Sequence, residues 1–251
     1  MRFLFLALIL SGSLLRATSV AVTQQTLTFH SSCSAGAKTA SPCPPGGLTG
    51  DGYQAVADTG SGLYPPPTLI PGGQMVSVWS DASTLYHCDP IFGCPPFVPL
   101  WGTANASDTI NGRTTGPNRV GWIQFSLIAG WTNDNSGTRI SMKDGLHSYG
   151  IGDGAPPNTI DPSQGGSYDA KLPFELGTGF QVSASVAANS PCPTSEVCGT
   201  YETGTAALSF ILLEPDGTPI PFVSAPGVPE PSTCMLLFLG LTAGAGFMRK
   251  R

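Results

Sequence analysis

The sequence predicts an all-β fold, a single β-sandwich of jelly-roll-like or Ig-like type, on three observations. Segments that alternate apolar and polar residues recur along the chain, as half-buried strands do. Clusters of Gly, Pro, Asn and Asp separate them, and these residues terminate strands and build turns. Between residues 22 and 225 no stretch repeats its apolar residues at helical spacing. Glycine and proline number 32 and 24 of 251 residues. That is short of the roughly 25–30% typical of low-complexity disorder, so a turn-rich folded domain is the expectation.

In chain order, residues 22–30 (VTQQTLTFH) alternate and predict the first strand. Residues 31–52 are small and rich in Pro and Gly, and predict a long loop. A short strand over 53–57 leads into the breaker run 59–73 with Pro65, Pro66 and Pro67. Residues 74–80 (QMVSVWS) alternate again. Residues 81–116 read mostly as loop, with Phe92, Phe97 and Trp101 available to cover a core edge. The clearest hairpin joins 120–129 (VGWIQFSLIA) to 138–143 through the turn residues 132–137. A further loop is expected over 144–171. Strands follow at 179–187 and 205–213, then a turn at 214–218. Residues 219–223 predict a closing edge strand, because prolines exclude them from a sheet centre. The total is seven to nine short strands.

Both ends depart from this pattern. Arg2 precedes an apolar stretch from Phe3 to Leu10, and small residues follow at Ala17, Ser19 and Ala21. This is the form of a secretory signal peptide over residues 1–21, with cleavage expected after Ala21 or after Ala17. No cysteine follows it directly, which disfavours a lipoprotein. The domain is then 22–225, one unit in size. It holds the bases Lys38, Arg113, Arg119, Arg139, Lys143 and Lys171 and every acidic residue except Glu230, so it is more acidic than the whole-chain charge of −5. Phosphate binding needs clustered cations, so nucleic acid is not an expected partner.

Of seven cysteines, Cys234 lies near the C-terminus. The other six fall in close pairs in loop-rich sequence: Cys33 with Cys43, Cys88 with Cys94, and Cys192 with Cys198. In an oxidising compartment such pairs read as disulfides, although six cysteines allow 15 connectivities. No C-x-x-C occurs, and His30, His87 and His147 are scattered with no carboxylate or cysteine at ligand spacing, so no metal site is expected. Residues 132–137 (TNDNSG) offer oxygens to Ca²⁺ but miss the twelve-residue loop pattern and sit where a turn is required. Asn105-Ala106-Ser107 has the form of a glycosylation acceptor.

Catalytic constellations are sparse. Asp58-Thr59-Gly60-Ser61 resembles the active-site loop of aspartic proteases, whose chemistry requires two carboxylates sharing a proton. The chain has no second D-[ST]-G, and Asp and Gly are common in turns. A G-x-S-x-G elbow is absent. Gly150-x-Gly152-x-Gly154 lacks dinucleotide spacing and reads as loop. No cofactor is implied, and the chain reads as a non-enzyme.

The last residues, 226–251, have three parts in order. Pro229-Glu230-Pro231, within the segment 228–233, cannot join a helix comfortably. Ser232 and Thr233 follow in N-cap position, and the uncharged run 234–248 predicts a transmembrane helix. At about 1.5 Å per residue it reaches roughly 21–24 Å, short against a core of roughly 30 Å. The chain closes on Arg249, Lys250 and Arg251, a basic stop that stays in the cytoplasm. This tail resembles the PEP-CTERM sorting signal of exported bacterial proteins. The resemblance covers only about the last tenth of the chain. It implies reading and cleavage by exosortase, a membrane protease-transpeptidase, at Pro229, Glu230 and Pro231. It also implies anchoring in the membrane until processing, and delivery of the domain to the cell surface or the extracellular biofilm matrix. There the domain is expected to be a structural or adhesive component. The alternative is a carbohydrate-binding module for extracellular polysaccharide, which needs exposed aromatics such as Trp79, Trp101, Trp122 or Trp131 in a row; a hydrolase built on Asp58 is the third reading.

Overall fold

The computed structural model describes residues 18–50, 52–62, 69–87, 96–131, 136–152, 166–193 and 198–223. They form thirteen strands and no helix: β1 (Val20–Ala35), β2 (Lys38–Ala40), β3 (Leu48–Gly50), β4 (Tyr53–Ser61), β5 (Gln74–Tyr86), β6 (Leu100–Thr114), β7 (Arg119–Trp131), β8 (Ser136–Lys143), β9 (Ser148–Gly152), β10 (Gly166–Leu176), β11 (Gly179–Cys192), β12 (Cys198–Leu213) and β13 (Phe222–Val223). One sheet runs β13-β1-β6-β11-β8-β9, with β2 also on β1; the other runs β10-β7-β12-β5-β4-β3. All pairings are antiparallel except β1 with β13.

From β5 to β12 the chain passes repeatedly between the sheets. The spatial orders are β5-β12-β7-β10 on one side and β6-β11-β8-β9 on the other. The expected hairpin between β7 and β8 is therefore not formed. β7 pairs with β10 and β12, and β8 pairs with β11 and β9. A turn-rich link between two apolar strands crosses from one sheet to the other as readily as it closes a hairpin, and local sequence does not distinguish the two.

Strands also replace three expected loops. The stretch 31–52 carries the end of β1 together with β2 and β3, because its small residues pair locally across the Gly36–Ala37 turn and onto β4. β6 lies in the stretch 81–116, where Gly, Asn, Ser and Thr suggested loop. Yet its even positions from Gly102 to Thr114 are buried and its odd positions less so, the period of a strand with small inward residues. A Cβ built on Gly102 would lie 2.4 Å from the Val56 oxygen. The absence of a side chain is what lets the sheets approach there. β9 and β10 likewise occupy the stretch read as loop over 144–171. Among the described residues the strands number thirteen rather than seven to nine, and six of them run to 13–16 residues.

The core divides by side-chain size. At one end Phe174, Phe180, Phe210 and Phe222 meet edge to face, with ring centroids 5.8–6.4 Å apart, among Ile123, Leu127, Ile140, Met142 and Leu208. At the other end the buried residues are mostly Ala55, Ala57, Ala82, Ala104 and Ala188, with Tyr86, Leu100, Cys33 and Cys192. Here the disulfides Cys33–Cys43 and Cys192–Cys198 close, with Cα atoms 5.3 and 6.1 Å apart. Cys88 and Cys94 lie outside the described residues.

Candidate functional site

The Asp58 motif lies within a regular strand. Asp58 is exposed on β4, its Oδ1 accepting the Thr59 N–H at 2.8 Å, and its register partner on β5 is Asp81. Asp81 in turn accepts the Tyr201 hydroxyl at 3.4 Å; burial first, and the Asp81 charge and hydrogen bond second, raise the Tyr201 phenol above its ordinary 10.0. Gly60 owes its place to packing: a Cβ there would lie 2.5 Å from the Trp79 ring.

Sequence reasoning missed a second carboxylate centre. The Asp144 carboxylate is wholly buried beside the β8–β9 turn. It accepts the N–H groups of Leu146 and His147 on its own turn and that of Glu175 from β10, in the other sheet. His147 Nδ1 lies 2.9 Å from its Oδ2, and the imidazole stacks on Tyr149 at 5.9 Å. The Tyr149 hydroxyl donates to the Pro173 oxygen at 2.8 Å. Burial first, and the Asp144 charge second, push the Tyr149 phenol above its ordinary 10.0. The spacing Asp144-x-x-His147 was the available signal; it places both side chains on one tight turn. Among the described residues no group of three or more His, Cys, Asp and Glu side chains is placed to hold a metal ion.

Asp108 of β6 is a third such carboxylate, buried between the sheets. It accepts the Gln25 Nε2 at 3.1 Å and the Ser77 N–H at 3.2 Å. Just past it the β4 strand ends at Ser61, opposite Val78, which leaves the Ser77 amide to this side-chain partner.

Among the described residues, a polar surface covers the solvent face of the sheet containing β1, β6, β11 and β8. Register sets Thr28, Ser107, Ser185 and Arg139 in one row and Thr26, Thr109, Ser183 and Ser141 in the next. Cross-strand bonds lace it: Thr28 to Ser107 at 2.7 Å, Ser141 to Ser183 at 2.7 Å, and Gln181 Nε2 to Asn111 Oδ1 at 3.1 Å. A shallow depression of 390 Å³ opens there beside His30, Asn105 and Arg139.

Of the tryptophans whose side chains are described, Trp79, Trp101 and Trp122 form no row. Trp101 is exposed at the start of β6, in one sheet. Trp79 and Trp122 belong to the other sheet, opposite Thr205 and Leu213 of β12 and so eight residues apart along it. Trp122 carries the Lys171 ammonium 5.0 Å over its ring and donates Nε1–H to the Pro215 oxygen. The Trp131 side chain lies outside the described residues, as do the turn residues 132–135 and the whole of 224–251.

The tail is decided by comparison. Residues 227–251 match the family model of the PEP-CTERM protein-sorting motif. The chain carries that sorting motif. The match spans Pro229, Glu230 and Pro231, the apolar run, and Arg249, Lys250 and Arg251. The PEP-CTERM assignment stops at the tail, and residues 18–223 take no function from it. No curated protein matches the chain.

Proposed function

We propose that this is an exported, non-catalytic component of the cell surface or extracellular matrix, sorted by an exosortase-type transpeptidase. The observation that carries the reading is the PEP-CTERM match over residues 227–251. Pro229, Glu230 and Pro231 are the residues read by the enzyme. The run 234–248 holds the chain in the bilayer until it is cut, and the basic end resists translocation. Replacing Glu230 with Ala leaves the uncut chain in the membrane fraction; unchanged processing would count against recognition at that residue.

Removal of the signal peptide falls after Ala17 in this reading. Val20 is fully buried, its N–H donates to the Pro221 oxygen at 2.9 Å, and Val20 and Ala21 pair with Phe222 and Val223 of β13. Thr18 accepts the Arg119 guanidinium at 2.7 Å. Cutting after Ala21 would remove this first rung and leave β13 without the residues it pairs with. N-terminal sequencing of the exported chain should begin at Thr18; a start at Val22 would refute this.

The exported domain is best read as a jelly roll, supported by the strand orders β5-β12-β7-β10 and β6-β11-β8-β9. Lectin domains use the same architecture, an analogy of fold alone. That analogy and the hydroxyl-lined face across β1, β6, β11 and β8 favour a second reading, a module for extracellular polysaccharide. A glycan array with the processed protein separates the two, since a purely structural component binds none.

A further inference from the structure

Among the described residues, the strand β1 leaves one long edge of its sheet open. It pairs with β6 along its length, but on the other side, of the described strands, only β13 meets it at Val20 and Ala21 and only β2 at Cys33, Ser34 and Ala35. Thr23 to His30 are all exposed. Such an edge presents unpaired N–H and C=O groups in register for another strand, and proteins blunt it with charges, prolines or brevity. The other open edges are blunted. β10 carries Asp169, Lys171, Pro173 and Glu175, the free part of β4 carries Asp58, and β9 has five residues. From Val20 to Ala35 there is no Lys, Arg, Asp, Glu or Pro.

The direction of the free groups follows from two observations. The turn Gly36–Ala37 closes on the pair Ala35 and Lys38, so Ala35 aims its N–H and C=O away from β6. With regular register from Gln24 to Ala35, Gln25, Leu27 and Phe29 do the same, as does Ser31, whose carbonyl already accepts the Ser41 hydroxyl at 3.4 Å. Leu27 and Phe29 also lie on the core side of the sheet, opposite Asp108 and Ala106 of β6, yet are 43% and 46% exposed.

We propose that β1 is the interface by which a second copy of this chain adds edge to edge, antiparallel, about a two-fold axis through Thr28. In that register Leu27 of each copy faces Phe29 of the other. Both apolar side chains are covered, and Leu27 and Phe29 of each copy complete their backbone bonds. Thr26 lies opposite His30, and no like charges meet. For an otherwise acidic domain, an uncharged edge is where identical copies approach without repulsion. The interface joins two sheets into one, a mode of assembly suited to a matrix component, although it does not depend on the sorting tail.

At the axis the two Thr28 residues form a non-hydrogen-bonded pair with Cα atoms about 4.5 Å apart, within reach of a disulfide. The test expresses the full chain with Thr28→Cys in an exporting host and resolves it by non-reducing electrophoresis and mass spectrometry. A species of twice the chain mass, abolished by reductant and absent from wild type and from Thr109→Cys one strand inward, is expected. Adding Leu27→Lys should remove it while circular dichroism stays unchanged. Failure of folded Thr28→Cys protein to link, linkage to a different protein, or linkage that survives Leu27→Lys overturns the proposal.

Discussion

At the scale of single residues, the buried carboxylates hold turns and strand ends where backbone bonding runs out. Asp144 satisfies three amides and the His147 ring, so Asp144→Ala leaves those donors with no partner. A loss of about 2–4 kcal/mol is expected, read as a lowered denaturant midpoint with an unchanged slope. Its neighbour Tyr149 adds a pH dependence with a definite sign. The phenol is raised above its ordinary 10.0 in the folded chain, so the unfolded chain releases that proton first. The contribution is complete below pH 10.0 and is lost as pH rises through the folded value. In Asp144→Asn the charge that adds to the shift is gone. Phenolate absorbance should then show Tyr149 ionising at a lower pH than in wild type, if the turn keeps its geometry.

At the scale of elements, β6 shows how a strand is built from loop-like residues. Its inward positions are Gly102, Ala104, Ala106, Asp108, Ile110 and Gly112, and its outward ones are Thr, Asn and Ser. Alternation survives, but at residue sizes that carry little apolar signal. Gly102→Val drives a side chain against the Val56 carbonyl and must spread the two sheets locally. A loss of about 1–3 kcal/mol is expected from thermal unfolding. Gly137→Ala, with open space around its Cβ position, should cost much less.

At the scale of the molecule, the core between the two sheets is aromatic at one end and rich in alanine at the other. Alanine methyls bury little area, so the alanine end gains little from the hydrophobic effect. Both described disulfides close there, spanning 10 and 6 residues. Replacing Cys33 and Cys43 together with Ser should cost about 2–3 kcal/mol. Hydrogen exchange should rise first around β2, β3 and β4, and the phenylalanine end should stay protected.

The sequence by itself determined the strand-forming segments with strong alternation, the local cysteine pairs now seen at Cys33–Cys43 and Cys192–Cys198, and the sorting tail. Each of these is a property of a continuous stretch: period-two burial, short loop closure, or a proline motif followed by an apolar run and a basic end. Tertiary structure alone decided that β7 and β8 part company, that Asp144 reaches across to Glu175, and that β1 is left with an open side. The reason is that a strand's hydrogen bonds are made to residues far away in the chain. Backbone donors and acceptors are the same in every residue but proline, so the side chains that encode a strand do not encode its neighbour.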